Sequence, residues 1–329
     1  TELWITALIV LLSTLAYTLY GGLRASIFTD NIQMVVIAVL LLISLSCIMS
    51  FTGSEFSFDF IKEKNPQLLS SSYVPSYTAG LTFFIAVAAT NLFHQGNWQR
   101  VFAAKDDHIL KRSLIYSSII SFLIVLWMGY TGLISFSIDS KIRPDLAFFK
   151  LILLNNNILI IVSILILALA LTLSTIDTLI NAISSLIIID GKVINKFLSG
   201  SEIKNKTNKL IILLCILVFI FASRGYSILY LFLFADLLCC AAVVTIFYGF
   251  FKNKIDIKMS FVSIIIGLVS GLLFFPSQDF KSSLLVGNII SVENFSPIIS
   301  SNLLFISFVV ALIVPLIIIT TYSLRNSLR

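Results

Sequence analysis

The chain has 329 residues, 58% of them hydrophobic and only 12% charged, where a soluble domain carries roughly 25% charged. This excludes an ordinary soluble domain and describes an all-α polytopic membrane protein. The net charge of +6 is read as topology and not as nucleic-acid binding: with the 21–30 segment cytoplasmic, 15 of the 22 Lys and Arg fall inside, which predicts a cell (plasma or inner) membrane protein with this chain's N-terminus outside and its C-terminus cytoplasmic.

Nine apolar runs, near 3–20, 31–51, 78–95, 113–137, 157–190, 210–223, 226–250, 260–276 and 301–323, predict nine membrane helices. Most approach the ~20 residues a bilayer requires. Run 210–223 is short and relies on the Ser223-Arg224-Gly225 turn to pair with its successor. None alternates with the dyad period of barrel strands. Cys47, Cys215, Cys239 and Cys240 lie within apolar runs without metal or disulfide spacing and read as packing residues. The chain opens Thr1-Glu2 without Met, and Leu3 to Tyr20 has no cationic leader, so a truncated N-terminus is expected and not a signal peptide.

In the first run, Gly21 and Gly22 are expected to end a helix, and Thr29 or Asp30 to cap the next. Asp30 and Gln33, one turn apart, also suit a cytoplasmic ion exit. Segment 52–77, with Glu55, Asp59 and two prolines, reads as an amphipathic outer cover. The third run then becomes polar at Asn91, His94 and Gln95 before leaving the membrane, which points to a broken helix and a solute cavity. His108 sits in a charged loop and no nucleophile or carboxylate cluster accompanies either it or His94, so no catalytic residue is assigned. Arg100 to Arg112 reads as a solvated basic loop, and Asp139 to Lys150 as an external loop.

The fifth run has 34 residues without Pro or Gly, counted from 157 to 190. Ser174, Asp177, Thr178 and Asn181 fall on one of its helical faces, flanked by Thr175. A lone membrane hydroxyl commonly bonds back to its own helix. Five polar groups with an unpaired acid point instead to an ion, because water is absent and hard oxygens replace a Na⁺ hydration shell. Lys192 to Lys209 reads as a basic linker, Asp236 as a second intramembrane acid for a cation or solute amine, and the last two runs as scaffold.

Three stretches now resemble the sodium:solute symporter family. They are Tyr20-Gly21-Gly22-Leu23-Arg24-Ala25 with Thr29-Asp30-Asn31-Ile32-Gln33, then Gln99-Arg100-Val101-Phe102-Ala103-Ala104-Lys105, then Leu173-Ser174-Thr175 with Asn181-Ala182 and Ser184-Ser185. The resemblance implies a LeuT-like inverted-repeat transporter of the APC superfamily, lacking its first three core helices. Residues 1–250 would be the remaining core and 251–329 additional C-terminal helices of a single transporter domain. It makes Ser174 and Thr175 Na⁺ ligands with the Leu171 carbonyl; Asp177, which shares the polar face with Thr178 and Asn181 of the sodium-binding set, stands where many members carry a hydroxyl and would add a second ion or proton site. Asp30 and Gln33 would line the ion pathway, and Asn91, His94, Gln95 and Asp236 the solute site.

The expected function is Na⁺-coupled inward symport of a small polar or charged solute by alternating access; the alternative is an H⁺-coupled relative using Asp177 and Asp236. A membrane enzyme is disfavoured because no His/Asp/Glu constellation gathers at one surface. The expected partners are Na⁺, an unidentified solute, the bilayer and the missing N-terminal helices of the same protein. No cofactor beyond the coupling Na⁺ and no nucleic acid are expected.

Overall fold

A computed structural model describes residues 2–50, 58–155, 157–194, 200–251, 256–278, 280, 282–285 and 301–327, apart from the side chains of 19–25, 194, 200, 201, 326 and 327. Among these residues every extended element is helical. The helices are α1 (Leu3–Met49), α2 (Phe58–Lys64), α3 (Val74–Phe93), α4 (Gln95–Phe102), α5 (Asp107–Ile138), α6 (Ala147–Leu153), α7 (Ile158–Ile194), α8 (Gly200–Ala222), α9 (Ile228–Phe251), α10 (Ile257–Phe274) and α11 (Leu303–Ser327). Among the described residues, eight stretches are long and apolar enough to cross a membrane, and Leu3–Thr18 is a shorter ninth. Phe84, Val125 and Phe261 are typical of the apolar side chains left exposed for lipid.

The predicted first two helices form one 47-residue helix. The expectation that Gly21-Gly22 ends a helix and that Thr29 or Asp30 caps the next is therefore corrected. The backbone stays helical through the pair but does not stay straight. Thr18 and Thr29 both donate to the Asp177 carboxylate, at 3.1 and 3.2 Å. An unbent helix would separate them by roughly 16 Å along its axis, more than one carboxylate can bridge. A glycine pair is a usual site for so sharp a kink. Beyond it, Leu11 packs with Ile180, Ile211 and Cys215, while Leu3 lies against Gly225. The first arm thus runs antiparallel to α8. The second arm runs antiparallel to α7, with Asp30 at Ser174 and Cys47 accepting from Asn155 at 3.5 Å.

Other boundaries shift. α8 begins inside the stretch read as a linker, so the 210–223 span is not short, and α7 extends to Ile194. Residues 195–199 of that linker and 51–57 of the outer segment lie outside the described residues. The Gly225 turn is present, with φ +67° and its N–H bonded to Ala222. The outer segment does form an amphipathic helix: Ile61 of α2 is fully buried, and Asn65 bonds Ser137 of α5 at 3.2 Å. The chain between α3 and α4 breaks at His94, whose ψ of 100° leaves the helical region, as the polar run predicts.

The helices form two compact units, residues 1–65 with 95–226, and 66–94 with 227–329. In the first, α1 lies along α7, flanked by α4, α6 and α8. In the second, α3 and α9 enclose Ala86, Ala89, Leu233, Leu237 and Cys240, with Phe308 and Ala311 of α11. Here α10 and α11 approach closely through Gly267 and Gly271, where an added Cβ would lie 2.3 Å from Pro315 Cγ and 2.8 Å from Ala311 Cβ. Small residues allow such backbone approach in membranes. Ser307 Oγ uses that proximity to donate to the Gly271 carbonyl at 2.8 Å.

Candidate functional site

The polar turn of α7 occupies the middle of its apolar stretch, Ile158–Val193. Helical geometry divides its residues between two faces. On the outward edge, Thr175 Oγ1 donates to the Leu171 carbonyl at 2.8 Å, and both residues are exposed. On the inward face, Ser174 Oγ donates to Asp30 Oδ1 of α1 at 2.8 Å. Asp177 has no exposed surface. Asn181, one turn on, donates through Nδ2 to Asp177 Oδ1 at 2.7 Å and to its carbonyl at 3.1 Å. The structure thus brings Ser174, Asp177, Thr178 and Asn181 together against α1 and α4, and leaves Leu171 and Thr175 as an adjacent oxygen pair beside them.

Asp30 is held from a second direction. Arg100 of α4 reaches its Oδ2 at 2.6 Å and donates from the same nitrogen to Thr178 Oγ1 at 3.1 Å, while its other terminal nitrogen donates to the Gly96 carbonyl at 3.2 Å. The reading of Arg100 as part of a merely solvated basic loop is corrected: its side chain is 51% exposed, yet it closes the polar face of α7. The neighbouring Gln99 donates to Ser185 Oγ and, at 3.5 Å, to the Asn181 carbonyl. One face of α4 is therefore bolted onto α7 by two consecutive side chains.

Other participants carry no local signal in the sequence. Thr18 and Thr29 reach Asp177 from the two arms of α1, and the Tyr17 hydroxyl lies beside Asp177 and Gln33. Gln33, predicted on the ion pathway, has a buried Oε1 with no partner. Isolated hydroxyls in an apolar run read as self-bonded. Only the bend in α1 gives Thr18 its role. Thr29 and Arg100 did stand in the stretches that carry the family resemblance, which was the one available pointer. A small cavity of about 20 Å³ adjoins Thr178 and Asn181 under Gln99 and Arg100, with Ser26 also at its wall.

The second unit has its own buried acid. Asp236 of α9 is 7% exposed and accepts from Thr90 Oγ1 of α3 at 2.5 Å. His94 follows Thr90 by one turn, and its Nδ1 is buried without a partner. Asn91 donates to the Val87 carbonyl at 2.8 Å. Of the four residues predicted for the solute, Asn91, His94 and Asp236 belong to this unit, and Gln95 to the other.

The profile described as "Sodium:solute symporter family" matches residues 1–267. A curated relative, named "Spermidine transporter DUR31", from Candida albicans (strain SC5314 / ATCC MYA-2876), is 28% identical over 239 residues, which cover 72% of this chain and 44% of the relative. The chain spans less than half of that relative's length. No solved structure matches.

Proposed function

The chain belongs to the sodium:solute symporter family, and from that premise we propose that it serves Na⁺-coupled symport of a small polar or charged solute into the cell. The observation that carries this is the oxygen cluster on α7. The Leu171 carbonyl and Thr175 hydroxyl lie 2.8 Å apart at mid-helix, with Ser174 on the same turn. Backbone carbonyls near the bilayer midplane hold Na⁺ in inverted-repeat transporters, and a hydroxyl is a hard oxygen donor of the same kind. On this reading Leu171, Ser174 and Thr175 hold the coupling ion, Asp177, Thr178 and Asn181 continue the polar path, and Asp30 with Gln33 leads toward the cytoplasm. The positive-inside bias supports the corresponding orientation, N-terminus outside.

On this reading the solute faces Asn91, His94 and Asp236 of the second unit. A polyamine, named for the Candida relative, is the first solute to try, because the Asp236 carboxylate suits an ammonium group. Uptake by the full-length protein with Na⁺ replaced by choline at fixed pH tests the coupling: loss of uptake is expected, and undiminished uptake overturns it. Ser174→Ala with Thr175→Ala is expected to raise the Na⁺ concentration for half-maximal uptake. An unchanged Na⁺ dependence removes these residues from the site.

A further inference from the structure

The corner between α4 and α5 carries rings and charges that the transport reading leaves without a role. One face of α4 is bolted to α7 through Gln99 and Arg100, and the other presents Trp98 and Phe102, one turn apart with ring centroids at 6.3 Å. Phe102 is 83% exposed. A ring held so far out of the protein needs an apolar medium, and a tryptophan beside it is typical of the boundary between membrane and water. Residues 103–106 then lead into α5.

The first half of α5 sorts its residues by face. His108, Arg112, Ile115, Ile119, Phe122 and Leu126 recur at alternating steps of four and three residues, which places them in one stripe with Lys111 at its edge. Ser113, Ser117 and Ser121 recur every four residues on the opposite side, and every residue from Lys111 to Leu126 is exposed. In a membrane, small hydroxyl residues suit close helix–helix contact, whereas an unbroken apolar stripe suits acyl chains. A helix that packs on the serine side therefore leaves the Arg112 side to lipid. From Arg112 to Leu126 the stripe is roughly 21 Å long, enough for the acyl region of one leaflet, half of a ~30 Å core.

The cations at the head of this stripe lack counter-ions. Asp106 caps α5, accepting from the Ile109 N–H at 2.7 Å, and Asp107 lies in the first turn, where the helix dipole favours an acid. Lys105, Lys111 and Arg112 have no ion-pair partner among the described side chains. Cations above an apolar stripe and beside interfacial rings match a phosphate ester that ends in acyl chains, and a planar guanidinium binds phosphate oxygens in pairs.

We propose that Lys111 and Arg112, with Lys105 beside them and Trp98 and Phe102 at the boundary, bind the headgroup of an anionic glycerophospholipid whose acyl chains lie along Ile115, Ile119, Phe122 and Leu126. The leaflet is the cytoplasmic one on the positive-inside reading. This site does not depend on which ion or solute the protein carries.

Fluorescence quenching by brominated phospholipids tests it, on the full-length protein with Trp98 as its sole tryptophan, reconstituted in mixed bilayers. Bromine is carried on the chains of either phosphatidylglycerol or phosphatidylcholine, so quenching reports which lipid occupies the corner. The anionic lipid is expected to associate about 25-fold more strongly than the zwitterionic one, about fivefold for each of Lys111 and Arg112. Lys111→Gln with Arg112→Gln should bring the ratio near one. Arg112→Lys keeps the charge and loses the paired hydrogen bonds, so it should retain only part of the preference. Unchanged quenching by phosphatidylcholine in each variant shows that the corner keeps its fold. Equal association of both lipids with the unaltered protein overturns the site, and so does a preference that survives the double variant. A preference untouched by Arg112→Lys reduces the site to diffuse attraction and overturns it too. Quenching of Trp98 by neither lipid overturns it in favour of protein covering the corner.

Discussion

Arg100 of α4 and Asp30 of α1 form an ion pair at 2.6 Å across 70 residues of sequence, and the same guanidinium nitrogen holds Thr178 of α7. One side chain thereby ties three helices over the cavity beside Asn181. Its energetic worth as an ion pair is modest, about 1 kcal/mol or less, because both partners retain solvent contact, at 51% and 20%. The effect expected of it is on access to the polar centre. Arg100→Gln is expected to increase thiol labelling of a Ser26→Cys probe at the cavity wall several-fold, measured on a background without the four native cysteines. Arg100→Lys restores the charge but not the fork, whose other nitrogen holds the Gly96 carbonyl, so it should fall between the two. Identical labelling rates in all three would show that Arg100 does not close this end.

Thr18 and Thr29 offer a second test, of the bend. Each donates to Asp177 from a different arm of α1, so Thr18→Val or Thr29→Val withdraws one donor from a buried carboxylate. Each is expected to cost about 1–3 kcal/mol, read as a lower melting temperature in detergent. Because both act on one acceptor, the double variant should depart from additivity. Strict additivity would mean that the two arms do not share the carboxylate.

These tests separate what local pattern reveals from what it hides. The apolar runs, the inward face of Ser174, Asp177, Thr178 and Asn181, and the break at His94 follow from period, length and polarity within a few turns of chain. The continuity of α1 does not. A Gly-Gly pair reads as a terminator because glycine disfavours helix, yet Thr18 and Thr29, once held by Asp177, fix both sides of the kink, and the backbone stays helical between them. Arg100 was misread for a related reason. A basic loop is normally solvated, and only the packing of α4 on α7 brings its guanidinium to Asp30. Likewise the last two helices read as featureless, while their close approach depends on two glycines meeting Ala311 and Pro315 of a distant helix.

That approach predicts a graded response among glycines. At Gly271 an added Cβ would sit 2.8 Å from Ala311 Cβ, with the Ser307 carbonyl at 3.1 Å, whereas at Gly80 and Gly129 it meets nothing within 4 Å. Gly271→Val should therefore force α10 from α11, at about 1–3 kcal/mol for an overpacked contact, and break the Ser307 hydrogen bond. Gly80→Ala and Gly129→Ala should leave the melting temperature unchanged or raised, since both positions are helical and open. Equal effects at the packed and open sites would contradict the arrangement of these helices.

The last prediction concerns Asp236. Its carboxylate has a single described hydroxyl donor, Thr90 Oγ1 at 2.5 Å, and the same face of α3 presents His94 with an unpartnered Nδ1 one turn away. If the solute is cationic, the carboxylate supplies its charge complement and the imidazole nitrogen an acceptor for an N–H. Asp236→Asn removes the charge at nearly constant shape, so it should weaken competition by a polyamine by about tenfold or more, the loss of a charge-assisted bond. Thr90→Val leaves the charge in place and should weaken it less, by the loss of positioning alone. Competition assays with a polyamine and with a neutral polyol of similar length distinguish the cases. Selective loss for the polyamine assigns the charge to solute recognition. Equal loss for both solutes would make Asp236 a packing residue of the α3–α9 contact, with its carboxylate satisfied by Thr90.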